Sequence, residues 1–265
     1  MTRRILSLGA GVQSTTMALM AERGEIDPPD AAIFCDTKWE NREVYDHLAW
    51  LIDRLSFPVF IVSAGDIRAD ILAKTNTTGG SFSSVPWFFM GDKGDRRMGR
   101  RQCTSEYKLR PLHREIRRIY GFRPGQKLEP QGIEVMVGIS TDEAMRMKPS
   151  REQWLKNVFP LIDMDMSRRD CLAWMARYYP DNRPPKSSCI GCPFHSDPEW
   201  RRIKSDPVAW ADAIEVDKAI RDQSPGGKQY MHQSCKPLDQ VDLSTAEERG
   251  QLNLFNNECE GMCGV

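Results

Sequence analysis

Apolar positions first gather in a short run, Arg4 to Leu8, which breaks at Gly9-Ala10-Gly11-Val12-Gln13-Ser14-Thr15-Thr16 and resumes as Met17, Ala18, Leu19 and Met20. That pattern predicts a strand, a glycine turn and a helix. Ala31-Ala32-Ile33-Phe34-Cys35 predicts a second strand that ends on Asp36-Thr37, and Pro58 to Val62 a third. Between them Val44, Leu48, Leu51, Ile52 and Leu55 recur at helical spacing over Asn41 to Leu55. Strands alternating with helices in this way predict an α/β fold, a parallel sheet with helices on both faces.

Farther on, Thr75 to Arg101 carries no sustained periodicity and predicts a long loop. Pro111 to Tyr120 predicts a helix with Arg114, Arg117 and Arg118 on its polar side, and Ile133 to Ile139 a strand followed by the polar stretch Ser140 to Lys148. Phe159 to Ile162 predicts one more short strand. Ser167-Arg168-Arg169-Asp170 predicts a capped helix start, with Cys171, Leu172, Trp174 and Met175 as its apolar positions. Helices are expected near Asp197 to Lys204 and Pro207 to Arg221, and loop from Ser224 onward.

With 265 residues, 40% of them hydrophobic, the chain can bury one substantial core. The expected organisation is a nucleotide-binding α/β region over 1–180 and a cysteine-containing helical and loop extension over 181–265, packed on it as one continuous domain. No apolar run approaches the ~18 residues of a membrane span, and Met1-Thr2-Arg3-Arg4 does not begin a signal peptide, so the expectation is a cytoplasmic protein with no membrane partner. Formal charge is zero, which argues against a polyanion-binding surface over the whole molecule. Arg96, Arg97, Arg100 and Arg101, with Lys108 and Arg110, still form a local basic stretch, either a ground for a nucleotide or nucleic-acid backbone or a solvated loop face. A homo-oligomer stays open.

Eight cysteines in a chain of this expected setting point to metal binding or thiol chemistry before disulfides. Cys189-Ile190-Gly191-Cys192-Pro193 is a turn able to aim two thiolates at one metal, and a tetrahedral site needs two further ligands. Thiolates alone suit zinc and iron–sulfur equally. The turn after the first strand points backbone N–H groups at one spot at a helix N-terminus, which suits a phosphate, with Ser7, Ser14 and Thr15 as hydroxyl donors. It lacks the Gly-Lys-Ser/Thr end of a Walker loop and the third glycine of a dinucleotide loop. A tight strand-to-helix turn without ligand is the alternative.

Gly9-Ala10-Gly11-Val12-Gln13-Ser14 resembles the pyrophosphate loop, Ser-Gly-Gly-x-Asp-Ser, of the PP-loop superfamily, whose members cleave ATP between its α and β phosphates or bind a related adenylyl nucleotide. Gln13 stands where that family has Asp, a position tied there to metal organisation, so a Mg2+ role is open. Phe34-Cys35-Asp36-Thr37 is similar to the corresponding strand end of sulfonucleotide reductases, which implies nucleotide contacts from Asp36 and Thr37; a helix-capping Asp36 is the alternative. Gly138-Ile139-Ser140-Thr141-Asp142-Glu143-Ala144-Met145-Arg146 is similar to the family's Gly-x-Arg-x-x-Glu-Ser-x-x-Arg segment, which implies Gly138 and Arg146 at the nucleotide.

Cys103 through Leu112, with Lys108 and Pro111, looks like the Cys-Cys-x-x-Arg-Lys-x-x-Pro-Leu segment of cluster-bearing adenylylsulfate reductases. This phosphoadenylylsulfate (PAPS) reductase-like resemblance implies a [4Fe–4S] cluster on Cys103, Cys189 and Cys192, closed by Cys263 from the tail, or left open at one iron. It also implies catalytic roles for Lys108 and for Cys259, since Glu258-Cys259 matches the start of the reductases' Glu-Cys-Gly-x-His tail. The function expected is an ATP- or adenylyl-nucleotide-using sulfur-transfer enzyme that adenylates an acceptor, a nucleic-acid component among the candidates, with an unidentified sulfur donor. A PAPS or APS reductase is the second expectation, and a nucleotide- or nucleic-acid-binding module with a structural metal the third.

Overall fold

A computed structural model of the chain describes residues 2–77, 79, 85–91, 94–123, 125–224, 227–245 and 248. In chain order the elements are β1 (Arg3–Leu8), α1 (Val12–Glu22), β2 (Ala31–Cys35), α2 (Arg42–Ile52), β3 (Val59–Val62), α3 (Ile67–Leu72), β4 (Phe88–Met90), β5 (Arg96–Met98), α4 (Arg110–Ile119), β6 (Ile133–Val137), β7 (Leu155–Val158), α5 (Pro160–Asp163), α6 (Arg168–Tyr178), α7 (Asp197–Ser205), α8 (Pro207–Ile220) and β8 (Gln229–Tyr230). A π-helix, Thr104–Leu109, runs directly into α4. The chain divides into two compact units: residues 1–65 with 105–188, and residues 66–104 with those from 189 onward.

The first unit is an α/β fold built on a five-stranded, wholly parallel sheet in the order β3-β2-β1-β6-β7. Except for the edge strand β7, its strands read as largely apolar runs because both faces are covered. On one face Leu6, Leu8, Phe34 and Met136 pack with Met17 and Met20 of α1, Leu48 of α2 and Met175 of α6. On the other, Ile5, Ile33 and Val135 pack with Leu112 and Ile116 of α4. The i, i+4 spacing of Leu112 and Ile116 gives α4 one inward stripe, so its arginines stay outside.

Register is reinforced by charge near the start of the strands. Arg4 of β1 lies opposite Glu134 of β6, which lies opposite Lys156 of β7; the contacts are 2.7 Å and 3.0 Å. Helix α1 is buried from Val12 to Ala21 and so shows no amphipathic period. Its hydroxyls find partners inside the fold: Thr16 Oγ1 donates to the Val12 carbonyl at 2.9 Å. Helix α6 starts as its sequence predicts, with a reciprocal capping box between Ser167 and Asp170.

Two expectations are corrected. The strand expected at Phe159 to Ile162 lies at Leu155–Val158, and Pro160 instead opens the short helix α5. Strand β7 is an edge strand whose Lys156 and Asn157 face polar partners, so it lacks the apolar run of a central strand. The stretch Thr75 to Arg101 contains β4 and β5, an antiparallel pair completed by β8. Three residues per strand are too few for a period, and the third strand lies about 130 positions downstream.

In the second unit, Trp200 and Ile203 of α7 and Ala213, Val216 and Ile220 of α8 are buried. Buried Asp217 accepts from the backbone N–H groups of Met231 and Leu238, 3.0 Å each, and pairs with Arg221, which fastens the chain after α8 to that helix. Among the described residues no helix is long and apolar enough to cross a membrane. The cysteine-rich tail, with Cys259 and Cys263, lies outside the described residues.

Candidate functional site

The chain leaves β1 at the point where strand order reverses: β2 and β3 lie to one side of β1, and β6 and β7 to the other. In open parallel sheets ligands bind at the carboxyl ends of strands where this reversal opens a crevice. Gly9, Ala10 and Gly11 occupy that position and Gly11 is the N-cap of α1. No side chain caps α1 there and its first turn holds no acid, so the positive end of the helix dipole is not offset locally. Ser14 Oγ ties the turn together, accepting from Gly9 N–H at 3.2 Å and donating to the Gly11 carbonyl at 3.4 Å. Ala10 adopts φ 54°, a left-handed conformation unusual for alanine.

Both glycines are needed for close approach. A Cβ on Gly11 would stand 2.9 Å from the Ser187 Cβ, and one on Gly9 3.1 Å from the Ser187 hydroxyl. Ser187 therefore lies against the turn, a neighbour that no sequence pattern announces. Ser7 is half-buried on β1 just before it. Thr15, fully buried, shares a 2.9 Å hydrogen bond with His47 Nε2 of α2, and burial pushes the His47 imidazole down to about 4.

Gln13 joins the β1 turn to the end of β6. Its Nε2 donates to Ser140 Oγ and to Glu143 Oε2, 3.3 Å each, and its Oε1 accepts from Arg168 at 3.2 Å. Glu143 also holds Arg146 at 2.6 Å, so the sequence-expected Arg146 stands one carboxylate away from Gln13. Gly138 makes the junction possible: a Cβ there would come 3.0 Å from the Ser14 backbone nitrogen. Arg168 is a cation at this turn that the sequence reading placed only as a helix start.

At the carboxyl end of β2 Asp36 is buried and engaged. One oxygen accepts from Lys38 N–H at 2.7 Å and Tyr45 O–H at 2.8 Å, and the other pairs with the Lys38 ammonium at 3.0 Å. Burial, then the Asp36 bond, pushes the Tyr45 hydroxyl well above its usual range. Thr37 donates to Glu40 Oε1 at 3.0 Å, and the Lys108 ammonium lies 3.9 Å from that oxygen. Lys108 sits in the π-helix, and its carbonyl accepts from the Cys35 thiol, which burial pushes up to about 12. Trp39 Nε1, Glu40 Oε2 and Asn41 Nδ2 are buried with no hydrogen-bond partner among the described residues, an uncommon concentration on three consecutive residues. Sequence reading missed Glu40; an acid four positions after Asp36 is its only signal.

In the second unit Cys189 and Cys192 come together. Cys192 N–H donates to the Cys189 carbonyl at 3.0 Å, and His195 Nε2 sits 3.0 Å and 3.2 Å from the carbonyls of Cys189 and Ile190. The Cys189 side chain hydrogen-bonds to the Cys192 sulfur and, against the cost of burial, holds that thiol down to about 6, with help from His195, the Phe194 N–H and Arg101. Arg101 lies over the Phe194 ring at 5.1 Å. Cys103 is half-buried in the same unit, yet among the described residues no group of three or more His, Cys, Asp or Glu gathers as a metal site. The remaining cysteine expectations, Cys259 and Cys263, fall outside the described residues.

Two surface hollows elsewhere on the first unit are lined in part by Arg3 and Gly132 in one case and by Arg4, Glu134 and Lys156 in the other, at the amino ends of the strands. Neither meets the loops described above. No known protein-family model matches the chain, and comparison with curated proteins found no significant match. What the described residues define is a mostly parallel α/β protein of Rossmann-like arrangement, with a glycine turn at its strand-order reversal and a paired-thiol turn in its second unit.

Proposed function

We propose that the chain is a sulfur-transfer enzyme that uses ATP or a related adenylyl nucleotide, of the PP-loop kind and PAPS reductase-like. The observation that carries this reading is the glycine turn at the reversal of strand order, joined through Gln13 and Gly138 to the end of β6. Backbone N–H groups at the start of α1 would orient the nucleotide's phosphates, with Ser14 and Thr15 beside them. Arg168 would supply positive charge next to the turn, and Asp36, Thr37 and Lys108 line the carboxyl end of β2 as candidate nucleotide contacts. Gln13 has both ends of its carboxamide hydrogen-bonded and carries no charge, so Mg2+ arriving with the nucleotide would need other ligands.

In the proposed reaction an acceptor oxygen attacks the α-phosphorus, pyrophosphate leaves, and a sulfur nucleophile then displaces AMP from the activated carbon. Cys192, which already favours the thiolate, and Cys189 fit a thiophilic metal, and Cys103 and Cys263 are the proposed further ligands. Such a centre, [4Fe–4S] with zinc as the alternative, would supply sulfur binding or redox chemistry. Cys259 is the proposed sulfur-bearing thiol.

Labelled nucleotide tests the reading. Release of pyrophosphate from ATP is the expected result. Sulfite release from phosphoadenylyl sulfate would instead establish a reductase, and neither product, with candidate acceptors present, would leave a binding module. A visible absorbance scan of anaerobically purified protein checks the metal: colourless protein with stoichiometric zinc would remove the iron–sulfur assignment.

A further inference from the structure

We infer that strand β5 and the arginines after it form a docking surface for single-stranded nucleic acid. The inference names the acceptor class of the reaction proposed above and rests on that reading for the word acceptor; the binding itself does not depend on it. Whole-chain charge is zero, yet four arginines fall within Arg96 to Arg101 with no acid among those six residues. All three residues of β5 are exposed, and the Arg97 side chain is 68% exposed with Asp95 as its ion-pair partner. Arg100 is exposed, and Arg101 is exposed with its guanidinium over Phe194.

Antiparallel register decides what accompanies these cations. Phe88 lies opposite Met98 and Tyr230, and Met90 opposite Arg96, so one face of the small sheet carries these five side chains. Met90 and Met98 are each 39% exposed, Tyr230 is half-buried, and Arg96 lies over the Phe88 ring at 5.7 Å. Arg97, opposite Phe89, projects from the other face, so the guanidinium on this one is Arg96, which also donates to the Gln233 carbonyl at 3.0 Å. A face that sets a guanidinium among exposed apolar side chains, with Arg100 and Arg101 following it in the chain, matches unpaired nucleic acid, whose phosphates seek arginine and whose bases seek flat or polarisable surface. An acidic peptide would use the charge and leave the apolar part unmatched. The plain alternative is that edge arginines only keep β5 from pairing with another sheet edge.

Fluorescence anisotropy of a labelled oligodeoxythymidine with the full chain, measured at rising salt, separates the two. The expected result is salt-sensitive binding that Arg96→Ala with Arg100→Ala weakens by about tenfold or more, with a salt slope shallower by about 1.4 because two single-strand phosphate contacts are lost. Met90→Ser with Met98→Ser should weaken binding by about threefold at unchanged slope. All four positions are exposed, and circular dichroism confirms that the variants fold. No binding at about 50 mM salt, or arginine variants that bind as well as the wild type and only self-associate, would overturn the inference. Retention of labelled ATP without acceptor reads the nucleotide site separately: oligonucleotide binding with no ATP retention sinks the nucleotide reading alone, and ATP retention with no oligonucleotide binding sinks the docking surface alone.

Discussion

Gln13 is the side chain on which the candidate nucleotide turn most depends, because its amide nitrogen and oxygen reach three partners on two other segments. Removing it leaves Ser140 without a buried partner and separates Arg168 from Glu143's neighbourhood. Gln13→Ala should cost about 1–3 kcal/mol in stability, read as a shift of the urea midpoint, and should depress nucleotide turnover more than the stability loss explains. Gly138→Ala is a sharper probe. The new methyl group would meet backbone, the Ser14 nitrogen at 3.0 Å, which cannot swing away as a side chain can. A cost of about 1–3 kcal/mol is expected, with loss of nucleotide binding, whereas Gly24→Ala, where nothing lies within 4 Å, should leave binding intact despite its φ of 73°.

Among the elements, α6 and the β1-β6-β7 edge carry separable stabilising contacts. Ser167→Ala breaks the capping box and should destabilise by about 1 kcal/mol. Glu134→Gln would leave Arg4 and Lys156 flanking a neutral amide; a loss of similar size is expected, confined to pH values at which the carboxylate is ionised. Elements of this kind were readable in the sequence because their signals are local: β2 is found at its predicted residues, and Ser167 with Asp170 marks α6 three positions apart. The glycine turn was readable for the same reason. Ser187 against Gly11, the β4-β5-β8 sheet and the unpartnered atoms of Trp39 to Asn41 were not, since each depends on segments far apart in the chain or on burial that no local period encodes. Strand β7 was misplaced because an edge strand need not be apolar.

For the protein as a whole, two buried or half-buried groups set the expected response to acid. His47 is held neutral by burial, with its folded pKa near 4 against 6.5 for the free group. The unfolded chain therefore takes up that proton first, and the His47 contribution is present above about pH 6.5 and is lost as pH falls toward 4. Within that window the slope from this one group approaches about 1.4 kcal/mol per pH unit, and His47→Gln should flatten it in urea titrations at several pH values. Glu134 acts lower down: burial raises it, but hydrogen bonds from Arg4 and Lys156 outweigh burial and hold it below 4.5, so its contribution is present above that value and is lost below it.

The second unit takes its two parts from residues 66–104 and from those after 188, with the first unit's later strands encoded between them. On a ribosome this imposes an order of events. All five strands of the parallel sheet have been synthesised once residue 158 is added, and that sheet can assemble as they leave the exit tunnel while synthesis continues. Strand β4 can pair early with β5 but must wait for its second partner at Gln229–Tyr230, well over a hundred codons later. Through that interval Phe88 and Phe89 have Met98 and Arg97 of β5 across from them but lack Tyr230 and Gln229, so one edge of β4 stays open to wrong pairing during translation.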